Sequence, residues 1–359
     1  MVRQDLCIVH IGMPKTGSTT LQESFFSGIA DPRVAYGSLP HPNQSGWLYS
    51  LFTKQHQDYH FLHGLNLSDP KDLNDFIYET RKSLVGGFSR KKNSIELLSG
   101  EDLFHLDIAG IQGLRIFLDE YFEKTLIVAY VRPLKSFIES AFQQLVKYHG
   151  CGSFSFNGFY HPFKNFKRYD DVFGAENVLL WRFRPATFPE GDIVLDFCNR
   201  LQLQPMRAKN KIVNEAISRE AVSILFCYHY HQNGKTDFGP HQAKVNHLLV
   251  EALRGIGREK FRFSRALVRR VIEEFRDDYE WMLQRLEGFD RETETDEADD
   301  GFGSAEELLD YSTGCIGDLL GLVDTREMNF ALVNQNHPQT VARLVDLLAV
   351  QLHKKSISR

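Results

Sequence analysis

Near-continuous apolar runs recur at 6–11, 94–99, 125–131 and 177–183. None shows the strict alternation of a half-exposed strand, so they predict strands buried on both faces of a parallel sheet. Between them the apolar positions fall into helical spacing, over 21–29, 68–88, 111–122, 134–148 and 191–201. In the second of these Leu73, Phe76, Ile77, Leu84 and Val85 share a face. Ser68 or Asp69 can cap it, Pro70 suits its first turn, and Gly86-Gly87 ends it. Strands alternating with helices predict an α/β fold around a central parallel sheet. Residues 31–70 read as loop, rich in Pro, Gly, His and aromatics.

From Ser218 onward the strand signal stops. Helices are predicted at 218–231, 241–255 and 264–288, the last through an apolar stripe from Leu267 to Leu286. Residues 290–300 carry seven acids against one Arg, the pattern of a solvated linker. Two amphipathic segments follow, 304–323 and 338–353. The pattern divides the chain into a main domain over 1–288 (mainly helical from 218), an acidic linker over 289–303 and a helical tail over 304–359. The tail is expected to pack on the core or on a second copy, as a homo-oligomer.

With 359 residues, 42% hydrophobic and 25% charged, the chain has an ordinary globular composition. A net charge of −5 gives no electrostatic support for a nucleic-acid polymer as partner. The five cysteines are scattered and never spaced C-x-x-C, which predicts free thiols. The first residues lack the features of a signal peptide, and no apolar run approaches the roughly 18 residues of a membrane span. A cytoplasmic protein is expected. His56, His60 and His63 have helical spacing, but no Cys or well-placed acid completes a metal site, so no metal is expected.

The first strand runs into Gly12-Met-Pro-Lys15-Thr16-Gly17-Ser18-Thr19-Thr20 and then into a helix. Strand, glycine-bearing turn and helix start together make a phosphate cradle, with backbone N–H groups and a helix N-terminus facing the anion. A Walker A box needs Lys directly after its second Gly, and that place is Ser18. The lysine lies inside the loop, at Lys15. Ligands of an open parallel sheet sit outside the carboxyl ends of its strands. Those ends also deliver Ser99, Glu101 and Asp102; Arg132, followed by Ser136 and Ser140; and Arg182 and Arg184. Cations, hydroxyls and a carboxylate pair around one crevice suit a substrate with two phosphate-like groups.

The loop Gly12–Thr19, with its internal lysine, resembles the 5′-phosphosulfate loop of sulfotransferases. Arg132 closing a strand, with Ser140 eight residues on, resembles the pair by which that family grips the 3′-phosphate. The segment 213–218 is similar to an N-x-x-x-S stretch of bacterial carbohydrate-type members. The resemblance covers about 5–288 and does not reach the tail. It departs from the family where Pro133 follows Arg132 directly, and where no glycine-rich C-terminal nucleotide loop is evident; Arg207, Lys209 and Lys211 could partly replace the latter.

The resemblance implies a P-loop-type three-layer fold and the donor 3′-phosphoadenosine 5′-phosphosulfate. Lys15, Thr16, Gly17, Ser18, Thr19 and Thr20 would hold the 5′ side, and Arg132 and Ser140 the 3′ side. The acceptor would be a hydroxyl on a small molecule or glycan; the aromatic residues of 47–61 and 154–169 would suit stacking on sugar rings, and equally a flat metabolite or simply a core. Glu101 is the first candidate for the base, His105 its rival, and His10 or the 41–63 segment stand behind them. A P-loop kinase or NTPase with a displaced lysine, and a non-catalytic nucleotide-binding protein, remain as alternatives. The first would need an acid at a strand end, where this chain has Arg132.

Overall fold

The computed structural model describes residues 4–88, 94–154, 163–208, 216–232, 240–289, 301–324, 326 and 336–357. Lys91, Lys92, Lys209, Lys211, the acidic stretch 290–300 and residues 213–215 of the segment 213–218 lie outside the described residues. The chain forms two compact units. The first comprises residues 1–133, 161–213 and 277–289, and the second 134–160, 214–276 and 290–359.

The first unit is α/β. Strands β1 (Gln4–His10), β2 (Val34–Tyr36), β3 (Ile95–Ser99), β4 (Phe122–Val131) and β5 (Val178–Arg182) form a parallel sheet in the order β2-β3-β1-β4-β5. β1 lies at the centre, with His10 opposite Ser99 of β3 and Val128 of β4. Four strands stand where the apolar runs place them. β2 is a fifth, inside the segment read as loop; three half-buried residues at an edge leave no run to detect.

Side chains alternate across the sheet. Ile8, Leu97, Val128 and Tyr130 meet Leu21 and Phe25 of helix Ser18–Phe26, and Val194 and Phe197 of helix Ile193–Arg200. Tyr130, fully buried, donates its hydroxyl to Asp196 at 2.6 Å and so satisfies its polar end. Val9, Leu98 and Ile127 alternate with that row. A second set of helices flanks the sheet, among them Ile108–Asp119 with Ile111, Leu114, Phe117 and Leu118 buried. Burying each such side chain contributes ~1.5–3 kcal/mol.

In the second unit every named element is a helix, beginning with Leu134–His149 and including Arg219–His231, Pro240–Leu253, Arg265–Glu274 and Pro338–Ile357. Phe142 packs with Phe154, Phe226, Phe261 and Phe263 at centroid distances of 5.2 to 5.8 Å. Ser218 caps its helix through the Ala221 N–H, as its sequence position predicts.

Two predicted helices are broken. The stretch 264–288 is divided at Phe275, whose φ of −120° and ψ of 34° leave the helical region. Helix Arg276–Arg285 restarts with Asp277 and Asp278 in its first turn, where acids suit the dipole. The stretch 304–323 is likewise two helices, Ala305–Thr313 and Ile316–Leu322, parted at Gly314.

Candidate functional site

Connections leave the central strand β1 toward β2 and β3 on one side and β4 and β5 on the other. The strand order therefore reverses at β1, and the carboxyl ends of β1 and β4 flank the crevice where a parallel sheet binds ligands. The glycine-bearing loop leaves β1, Glu101 follows β3, and Arg132 follows β4.

The loop is shaped by three left-handed residues, Gly12 (φ 60°), Lys15 (φ 68°) and Gly17 (φ 77°). Glycine takes that conformation freely; a lysine there is strained by ~1 kcal/mol or more. Arg132 holds it in place, since its guanidinium donates to the Lys15 carbonyl at 2.8 Å and its backbone N–H to Met13 Sδ at 3.4 Å. The same guanidinium lies over the Phe183 ring at 5.6 Å. Thr16, buried, donates its hydroxyl to the Met13 carbonyl at 2.6 Å and staples the loop from within.

Gly17 begins helix Ser18–Phe26 without a side-chain cap, and no acid stands in its first turn. The first-turn N–H groups of a helix have no intrahelical partner. Beside them Ser18 Oγ is buried without a hydrogen-bond partner. An unpartnered buried hydroxyl costs ~1–3 kcal/mol, a deficit that a bound anion would remove. Loss of hydration and the neighbouring Arg132 charge lower the proton affinity of Lys15, and Glu101 opposes them. Two cations held this close favour an anion between them.

Glu101 opens a short turn after β3, Glu101–His105. A Cβ placed on Gly12 would stand 3.3 Å from Glu101 Cα and Cγ and 3.2 Å from Ser18 Oγ, so the bare glycine lets loop and acid meet. Burial, then the adjacent Asp102 charge, push Glu101 up to about 7, with Lys15 pulling the other way. Asp102 turns to other partners: it accepts the Tyr59 hydroxyl at 2.6 Å, and its N–H donates to Ser45 Oγ at 3.0 Å. Gln44 joins the same end of the sheet, accepting the Ser99 N–H at 3.0 Å. The contacts that Tyr59, Ser45 and Gln44 make here carried no sequence signal, because each partner lies 43 to 57 positions away.

His105 is exposed and edge-on to Phe104 at 5.2 Å, and lost hydration lowers its proton affinity. His10 is 1% exposed; its Nδ1 lies 2.8 Å from Ser99 Oγ, and burial brings it down to about 4. It is a neutral prop under the loop. Thr19 is exposed and Thr20 half-buried. Ser140 belongs to the second unit, half-buried on helix Leu134–His149. Arg182 donates to the Gly288 carbonyl at 2.6 Å, and Arg207 pairs with Glu190 on the surface.

The aromatic segments divide. Trp47 is half-buried, stacked on the exposed His41 at 6.1 Å and edge-on to Phe61 at 4.9 Å. Phe163, Phe166 and Tyr169 are wholly buried, so of the roles open to them they take the core and not the sugar-stacking one, while 155–162 lie outside the described residues. Rings of His56 and His63 engage the carbonyls of Ser50 and Gln57. Among the described residues no group of three His, Cys, Asp or Glu is arranged to hold a metal, and no helix is long and apolar enough to cross a membrane.

No protein-family model matches the chain, and neither does any curated protein sequence. Among solved structures it is similar to a sulfotransferase from Alicyclobacillus acidocaldarius, at 20% identity and a TM-score of 0.37. That match covers 64% of this chain and 93% of the other, and is too remote to carry an argument about function.

Proposed function

We propose that the chain is a sulfotransferase, moving the sulfuryl group of 3′-phosphoadenosine 5′-phosphosulfate to a hydroxyl on a carbohydrate or glycolipid. One observation carries the reading. A cationic loop with its lysine inside and a buried, unpartnered Ser18 hydroxyl meets, across Gly12, a carboxyl whose proton affinity lies near neutral. The donor supplies an activated sulfuryl group and a bisphosphate leaving group.

Ser18 Oγ and the first-turn N–H groups of helix Ser18–Phe26 would take the 5′-phosphate. Lys15 would neutralise the charge that grows on the departing oxygen, as fixed cations and donors do in group transfer. Arg132 keeps the loop in shape, and its position at the end of β4, beside the loop, suits the part that the resemblance gives it at the 3′-phosphate. The part given to Ser140 rests on its spacing from Arg132. Glu101 would accept the acceptor's proton; a base that titrates near working pH is both free and strong enough to do so. Trp47 and His41, on the segment anchored to the end of β3 through Gln44 and Ser45, supply a ring face suited to a sugar.

The test compares thermal stabilisation by 3′-phosphoadenosine 5′-phosphate with that by Mg·ATP, then follows labelled donor onto a panel of glycans and small alcohols. Stabilisation by the bisphosphate and label on a glycan are expected. Stabilisation by Mg·ATP alone would overturn the reading in favour of a kinase. Bisphosphate binding without transfer to any acceptor would mark a non-catalytic nucleotide-binding protein.

A further inference from the structure

Helix Ser18–Phe26 buries a long polar side chain among apolar ones. Leu21 and Phe25 pack on the sheet, and beside them Gln22 is 1% exposed. A buried amide must recover in hydrogen bonds what it loses in hydration. Gln22 does so by reaching two other elements. Its Nε2 donates to Ser99 Oγ at 3.2 Å and to Asn43 Oδ1 at 3.4 Å.

At Asn43 the bonds divide. Its Oδ1 also accepts the Ser45 N–H at 3.0 Å, and its own N–H donates to His41 Nδ1 at 3.1 Å. Ser45 Oγ takes the Asp102 N–H, next to Glu101, and His41 stacks on Trp47. Tyr36 of β2 donates to the Pro42 carbonyl at 2.6 Å and Gln44 to the Gly37 carbonyl at 2.8 Å, which moors the same segment to the sheet. Gln22 adds a tie of another kind, to the helix that begins at the loop, one turn on from Ser18.

We propose that Gln22 and Asn43 are positioning residues, which hold the His41–Trp47 ring face in register with the donor loop on one side and the Glu101 turn on the other. Under the transferase reading, on which this role rests, both act through other groups. A hydrogen-bonded amide fixes distance and direction together; a leucine would fill the space and fix neither.

The experiment labels the full chain with 5-fluorotryptophan and assigns to Trp47 the fluorine resonance that disappears in Trp47→Phe. Gln22→Leu and Asn43→Ala are each expected to move that resonance and to leave those of Trp181 and Trp281 in place. Asn43→Ala, at a half-buried turn, keeps the test open should Gln22→Leu not fold. Transfer is then followed with whichever of lactose, maltose or N-acetylglucosamine the wild type labels fastest. Either variant is expected to raise acceptor KM by ~3- to 10-fold, the worth of one hydrogen bond. Turnover at saturation and affinity for 3′-phosphoadenosine 5′-phosphate should stay within about twofold of wild type. Because both substitutions cut one link, the double variant is expected to match the worse single. A Trp47 resonance that stays put in both variants, additive losses in the double, or a bisphosphate affinity that falls as far as KM rises overturns the assignment. Should the wild type label none of the sugars, it is the carbohydrate transferase reading that falls, and the resonances alone decide the link.

Discussion

The loop after β1 and the turn after β3 lie side by side and are built on opposite principles. Backbone conformation shapes the loop: three left-handed residues, a carbonyl held by Arg132 and a hydroxyl left without a partner. Side chains reaching in from residues 44–59 buttress the turn, and its acid is the group whose proton affinity has moved. A surface that is cationic and underbonded is prepared for an anion. One that is acidic and braced is prepared for a proton. Their contact at Gly12 makes the two a single site.

The sharpest way to break that comparison is Lys15→Ala, which removes the side-chain charge of the loop and leaves the turn intact. Transfer is expected to fall by ~10³-fold or more at saturating donor, with Tm little changed, as single-turnover rates and a melting curve will show. Glu101→Gln strikes the other half. It is expected to slow transfer by ~10²–10³-fold while donor binding, measured by titration with 3′-phosphoadenosine 5′-phosphate, persists.

Glu101→Gln also has a signature in stability. The wild-type carboxyl ionises near 4.5 when unfolded but holds its proton to about 7 when folded. Stability is therefore lost as pH rises between those values, and the Gln variant escapes that loss. Each pH unit is worth ~1.4 kcal/mol. The variant should gain on the wild type from pH 4.5 to 7 by at most ~3 kcal/mol, less where solvent screens the charge. A constant gap in denaturant midpoints across that range would remove the buried-acid account.

Gly12→Ala presses on the join itself. A methyl at a positive φ, with Ser18 and Glu101 already 3.2 to 3.3 Å away, is expected to cost ~1–2 kcal/mol and to lower transfer about tenfold. The smallest change is Asp102→Asn. It removes a charge that raises the proton affinity of Glu101, so the midpoint of the pH–rate profile should move to lower pH. A midpoint that stays in place would separate Asp102 from the base.

Much of this was readable in advance, for identifiable reasons. β1, β3 and the second half of β4 are buried on both faces, so their apolar runs stand out, and the outer strand β5, half-buried on one face, keeps such a run as well. Gly12 and Gly17 announce the loop because few other residues tolerate its backbone angles. β2 is too short for any period to show. The break at Phe275 stayed hidden because the apolar stripe continues across it. Tyr59 and Asp102 meet across 43 positions, and no local pattern encodes such a contact. For the same reason the partition into two units, each made of separated stretches, is not written in the pattern of any one of them.

The last of those stretches bears on how the protein is made. Arg285 grips Asp170 at 2.7 Å and the Val178 carbonyl at 2.7 Å, Gly288 receives Arg182, and Asp278 takes the N–H groups of Phe163 and Lys164. Residues 277–289 thus fasten the outer strand β5 and the helix before it. The loop, Glu101 and Arg132 all lie within the first 132 positions, yet the contacts that fasten the outer strand of their unit can form only once residues 277–289 have been made. A nascent chain that carries the loop, Glu101 and Arg132 still lacks that fastening, which comes from a segment more than 100 residues downstream. The sheet is begun at one end of synthesis and locked near the other.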